Sequence, residues 1–244
     1  MDVSTKHPIM NTKAAPTIIA PGSDAKPTLQ ITIREPGSAL THLAGMVLAI
    51  IGSFPLLIKA SLNHGTYGLM VMSIFMLSMI LLYGASATYH SVNLTGQALM
   101  PFKRVDHMMI FVLIAGSYTP SCMMIFDHAL GYRMMAVVWG IALAGMLFKL
   151  FWVTCPKWLS SVLYIAMGWV VIFAVKPLYQ ALPLPGFLWL LAGGIVYTVG
   201  GVLYALKLKV FNSRHKNFGS HEIFHLFVVG GSICHYVFTY FYVA

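Results

Sequence analysis

Charge is scarce in this chain. Only 9% of its 244 residues are Asp, Glu, Lys or Arg, against about 25% in soluble globular domains, and this excludes an ordinary water-soluble surface. Cysteine is sparse too: Cys122, Cys155 and Cys234 stand far apart with no C-x-x-C pair, which argues against a disulfide framework and a thiolate metal knuckle. The first 36 residues lack the apolar run of a secretory signal. Their Pro, Thr, Lys and Ala predict a short disordered tail rather than a cleaved leader. Acids number six against fifteen Lys and Arg, for a net charge of +9. A basic balance can signal nucleic acid, but most of these cations sit in short joints between apolar runs, where they set membrane topology. No nucleic-acid partner is expected.

What the chain has in abundance is apolar length: 59% of it is hydrophobic, with mean hydropathy +0.80. Seven apolar stretches follow the tail, at 37–60, 66–92, 104–126, 130–153, 158–178, 185–207 and 220–243. Each is near the ~20 residues that cross a bilayer as a helix, and each is apolar nearly all round rather than along one stripe. Breakers mark the joints, among them Asn63-His64-Gly65, Pro101, Pro156 and Pro183. The predicted fold is an all-α membrane protein, a seven-helix transmembrane bundle over residues 37–244. Gly193, Gly194, Gly200 and Gly201 recur at a spacing of seven on one span, as close helix packing requires.

Orientation follows from Lys and Arg. With the N-terminus cytoplasmic, three of the fifteen, Lys59, Arg133 and Lys176, fall outside, and the rest fall inside. Seven spans then leave the C-terminus outside, in an aromatic belt of Tyr236, Tyr240, Phe241 and Tyr242.

In that topology the ionisable groups gather at one level. His90 ends the second span with Ser86 a turn deeper, Asp106 and His107 begin the third, and His221 and His225 begin the seventh. Ser86/His90 and His221/His225 are i,i+4 pairs that share a helix face. Ionisable groups at such depth are costly and usually face the bundle interior in functional pairs. Three imidazoles from two helices suit zinc, which in catalytic sites keeps three protein ligands and one open position. His90, His221 and His225 are the expected ligands. Asp106 is the expected catalytic carboxylate, or a partner that orients a ligand, and Ser86 completes the polar shell. Glu35 and His42, seven apart, share a face and line the same cavity or form a solvated helix start. His235, ten residues past His225 and ~15 Å deeper, is expected to bond another helix.

Residues 220–225, SHEIFH, also match the H-E-x-x-H pattern of zinc proteases, whose glutamate is a general base. Spacing alone leaves that role open. Position argues against it, because Glu222 stands in a first helical turn beside a basic loop, where the helix dipole stabilises a carboxylate.

Five pieces, REPGSALTH, SATYHS, KRVDHMMIFVLIAGSYTP, GGIVYTVGGVLYALK and GSHEIFHLFVVGGSICHY, resemble bacterial hemolysin III proteins. They are similar, more distantly, to the progestin and adipoQ receptors, which include the adiponectin receptors. The resemblance spans about 37 to 243. It implies a zinc near the cytoplasmic side held by three histidines, which fall on His90, His221 and His225, with Ser86 and Asp106 beside them. Where the family often has an asparagine in the first helix, this chain has Ser38. Alkaline ceramidases belong to the same wider group, so a zinc-dependent lipid amide hydrolase with membrane lipids as partners is implied. The family name implies instead a pore-forming cytolysin. A receptor or regulator of membrane state with structural zinc is the third expectation. A bacterial plasma membrane is the implied location.

Overall fold

The structure is a computed structural model, described over residues 33–206 and 219–244. Of the expected tail, only positions 33–36 fall among the described residues, and the basic joint carrying Lys207, Lys209, Arg214 and Lys216 lies outside them. Among the described residues seven α-helices follow in chain order: α1 Pro36–Ser91, α2 Met100–Met124, α3 His128–Phe151, α4 Lys157–Gly168, α5 Val175–Ala181, α6 Leu184–Leu206 and α7 Ser220–Tyr242. No strand occurs among the described residues.

α1 is 56 residues long, and a straight helix of that length would run about 84 Å. Yet the Glu35 N–H donates to the His90 carbonyl at 3.0 Å, so the two ends meet. The reversal is at Gly65, whose φ of 61° and ψ of −150° are non-helical and tolerated by glycine alone. Two helical arms, 36–64 and 66–91, result, and Gly45 on one lets the Tyr83 ring of the other come so close that a Cβ added there would lie 3.1 Å from it. The break falls where the sequence places its first joint.

The expected span at 158–178 is not one helix. It is α4, a 3-10 stretch Trp169–Ala174 and then α5. Tyr118 of α2 stitches the change: its hydroxyl donates to the Gly168 carbonyl at 2.6 Å and accepts the Val171 N–H at 2.9 Å.

Among the described residues five helical stretches are long and apolar enough to cross a membrane: α1, α3, the α4–α5 run Lys157–Ala181, α6 and α7. α2 packs between α1 and α3. The outer surface is as apolar as the core. Leu62, Phe151 and Phe173 are at least 80% exposed, which only a hydrocarbon solvent makes favourable over so much surface. The protein is an all-α membrane protein. Inside, Met72, Phe75, Met76, Tyr83, Leu113 and Phe238 join α1, α2 and α7, and a second cluster around Phe111, Val138 and Met167 joins α2, α3 and α4. These two cores fix the end of α1, the start of α2 and the start of α7 against one another.

Candidate metal centre

His90 lies one residue from the end of α1, and His221 and His225 lie on the first turns of α7. The packing of α1 on α7 brings the three together: one ring nitrogen from each lies within 4.8 Å of the others. His90 Nε2 and His221 Nε2 are 3.2 Å apart. The ring centroids of His90 and His225 are 5.0 Å apart, and those of His221 and His225 are 4.4 Å apart. His90 and His225 are 1% and 2% exposed. Three close imidazole donors can hold a metal ion.

The outward nitrogens of His90 and His225 are engaged, and this decides which of their nitrogens face inward. His90 Nδ1–H donates to Glu35 Oε2 at 2.5 Å. An ionised carboxylate only accepts, so the proton is on Nδ1 and the Nε2 lone pair points to the centre. That hydrogen bond holds the Glu35 carboxyl below the usual carboxylate range, helped by the Arg34 guanidinium. Arg34 is itself tied down, donating to the Tyr89 carbonyl at 2.8 Å. His225 Nδ1 lies 3.3 Å from the Ser38 carbonyl, an acceptor only, and 3.3 Å from Thr41 Oγ1. Its Nε2 is therefore also free to ligate. His221 Nδ1 is buried and has no hydrogen-bond partner among the described residues. Between two Nε2 atoms at 3.2 Å there must lie either a proton or a cation, because two bare lone pairs would repel.

Asp106 and Ser86 are buried and line one cavity with His42, His107, His221 and His225. Asp106 interacts electrostatically with His42, His90, His221 and His225. Its Oδ2 lies 3.4 Å from His107 Nδ1 without forming a hydrogen bond. The buried Ser86 hydroxyl interacts with the Asp106 carboxylate beside it. His42 stacks on His225 at 3.7 Å, with both ring nitrogens unpartnered. The cavity holds ≈ 200 Å³ of space and continues past Tyr164 and Trp169 to His235 between apolar walls.

Two sequence expectations are refined. His235 is buried, but it meets α6 by stacking on Tyr197 at 5.4 Å rather than through a hydrogen bond at Nδ1. Glu222 has both oxygens occupied: Oε2 accepts the Gly219 N–H at 2.7 Å and Oε1 accepts the Ser38 hydroxyl at 2.6 Å. It caps α7 and ties that helix to α1, which is not the geometry of a protease's base. Glu35 and Ser38 were the contacts that sequence reasoning left open. A usable signal existed, since Glu35, Ser38 and His42 fall at i, i+3 and i+7 on one helix face.

The sequence is similar to those of known proteins. The family described as "Haemolysin-III related" matches residues 30–236. "Hemolysin-3" of Bacillus cereus is 39% identical over 215 residues, covering 88% of this chain and 94% of that protein. "Hemolysin-3 homolog" of Bacillus subtilis (strain 168) is 38% identical over 212 residues, covering 86% of this chain and 95% of that protein. "Adiponectin receptor protein" of Drosophila melanogaster is 23% identical over 220 residues, covering 83% of this chain and 49% of that protein.

Proposed function

The chain belongs to the haemolysin-III related family, and on that premise we propose that it is a zinc-dependent hydrolase of lipid amides, acting on a substrate that enters from the bilayer. The observation that carries the reading is the inward aim of the His90 and His225 Nε2 atoms, set by what holds each Nδ1, with His221 Nε2 beside that of His90. Zinc–imidazole bonds of about 2.0–2.1 Å in a tetrahedron put two donor nitrogens about 3.3 Å apart, and the His90–His221 separation is 3.2 Å. A hard oxygen-preferring cation would call for carboxylates and carbonyls instead.

His90, His221 and His225 are the ligands in this reading. A zinc ion bound there supplies Lewis acidity toward water and an acyl carbonyl. The remaining work falls to the chain's own residues. Glu35 keeps the His90 proton on Nδ1. The Ser38 carbonyl does the same for His225. Asp106 accepts a proton from the attacking water and returns it to the leaving amine. Ser86 turns its hydroxyl from Asp106 to the substrate, and the apolar cavity holds an acyl chain and keeps bulk water out.

The reading extends to topology. The folded-back α1 supports two crossings from one helix, hence seven in all, and the Lys and Arg asymmetry supports a cytoplasmic N-terminus and an outer C-terminus. The histidines then lie toward the inner leaflet of a bacterial plasma membrane, consistent with the Bacillus relatives.

The test is hydrolysis of a short-chain ceramide by purified protein in detergent, read as fatty-acid release. Release that falls at least about a hundredfold in Asp106→Ala, with folding retained, is the expected result. No release by the wild type would reject the enzyme. The relatives' names carry a second reading, a pore-forming cytolysin. Dye leakage from liposomes that persists in His90→Ala would favour it.

A further inference from the structure

Lys149, near the end of α3, is 0% exposed. Its Nζ donates to Ser160 Oγ at 2.6 Å and to Cys155 Sγ at 3.1 Å. No carboxylate forms an ion pair with it among the described residues. Aromatic rings at 5.7 and 5.8 Å, Phe148 and Tyr164, complete its surroundings. A buried ammonium without an anion is costly and calls for a compensating partner. An ammonium has three donors, and two are used here.

The partner's place is visible from the other side. Ser160 and Ser161, on the first turn of α4, line the cavity described above. Ser161 Oγ is buried, in a side chain 3% exposed, and has no hydrogen-bond partner among the described residues. Two hydroxyls on the cavity wall, a cation directly behind one of them, and the positive end of a twelve-residue helix make one electropositive corner in an otherwise apolar chamber. Tyr164, one turn on, donates to the His107 carbonyl at 3.0 Å, so this corner is tied to the start of α2, where Asp106 sits.

We propose that the Lys149–Ser160–Ser161 corner seats the oxyanion of an anionic amphiphile whose tail occupies the cavity. The Ser160 and Ser161 hydroxyls donate to the oxyanion, and Lys149 supplies its counter-charge through Ser160. The chemistry is that of a carboxylate or a phosphate, and either a free fatty acid or a phospholipid presents it. The inference rests on the cavity being the ligand site, as in the proposed function, and not on the metal.

The experiment is fluorescence binding of cis-parinaric acid and of its methyl ester to the purified full chain, with and without prior chelator treatment. The acid should bind about tenfold or more tightly than the ester, since a charge-assisted hydrogen bond is at stake. Lys149→Met should lower acid affinity to that of the ester while leaving the ester unchanged, and Lys149→Arg should keep most of the preference. Displacement of the probe by oleate or by oleoyl lysophosphatidate, with neutral monoolein weaker than both, supports the site, and the stronger competitor names the source. Equal binding of acid and ester, or a preference intact in Lys149→Met, overturns it. A preference abolished by the chelator also overturns it, because the carboxylate would then sit on the histidines. Should Lys149→Met fail to fold, Ser161→Ala decides: a loss of acid affinity supports the corner, and unchanged affinity overturns it. Absence of ceramide hydrolysis with the acid preference intact would reject the hydrolase and leave the corner standing.

Discussion

At the residue scale, one carboxylate outside the helix controls a ring inside it. Glu35 accepts from His90 Nδ1 and so turns the lone pair of Nε2 toward the other two histidines. Glu35→Gln should weaken metal binding about 10–100-fold, the usual loss when the carboxylate behind a ligating histidine is removed. Competition with a chromogenic chelator measures this, and an unchanged affinity would show that Glu35 does not orient the ligand. A second test concerns Ser232, whose hydroxyl meets both Tyr83 at 2.6 Å and Tyr197 at 2.8 Å. Tyr83→Phe leaves the ring packing and deletes the hydroxyl's bond to Ser232 and its longer one to the Val228 carbonyl, so it should cost about 1 kcal/mol, seen as a lower melting temperature in detergent. The histidines themselves were legible in the sequence, because a depth argument needs only span order and direction. Glu35 was half-legible, since its seven-residue spacing from His42 is equally that of a solvated helix start. The spacing of Ser38 from Glu35 and His42 shows its face, but its hold on His225 was not legible, because that acts through a backbone carbonyl, which every residue type carries.

At the element scale, close backbone approach and one chain reversal shape the bundle. Gly65 holds a backbone conformation that a side chain strains by about 1–3 kcal/mol, so Gly65→Ala should lower the melting temperature although nothing lies within 4 Å of the added methyl. The paired glycines of α6 separate by role. A Cβ at Gly200 would stand 2.6 Å from the Phe227 Cβ of α7, whereas one at Gly194 would meet nothing within 4 Å and would enter the cavity. Gly200→Ala should therefore destabilise the protein, and Gly194→Ala should leave the melting temperature unchanged. Equal effects of the two would refute the packing assigned to α6 and α7. The reversal at Gly65 was legible from Asn63-His64-Gly65. The 3-10 break after α4 was not, because the sequence there is continuously apolar and the break is stabilised from outside by Tyr118 of α2.

At the scale of the whole molecule, we propose a membrane bundle that gathers its few polar groups on one side of the bilayer around a metal. Membrane class was legible from composition alone. Lys149 shows the limit of charge counting: in the sequence it joins the inner-face cations, while in the fold it is fully buried against Ser160 and Cys155. The remaining asymmetry still predicts an outer C-terminus, so alkaline phosphatase fused after Ala244 should be active in bacterial cells. An inactive fusion at normal expression would invert the topology. The most direct measurement is metal content by mass spectrometry for wild type, His90→Ala and His225→Ala purified side by side. One zinc per wild-type chain, lost in both variants, is the predicted result. A metal-free wild type, or variants that retain the metal, would contradict it.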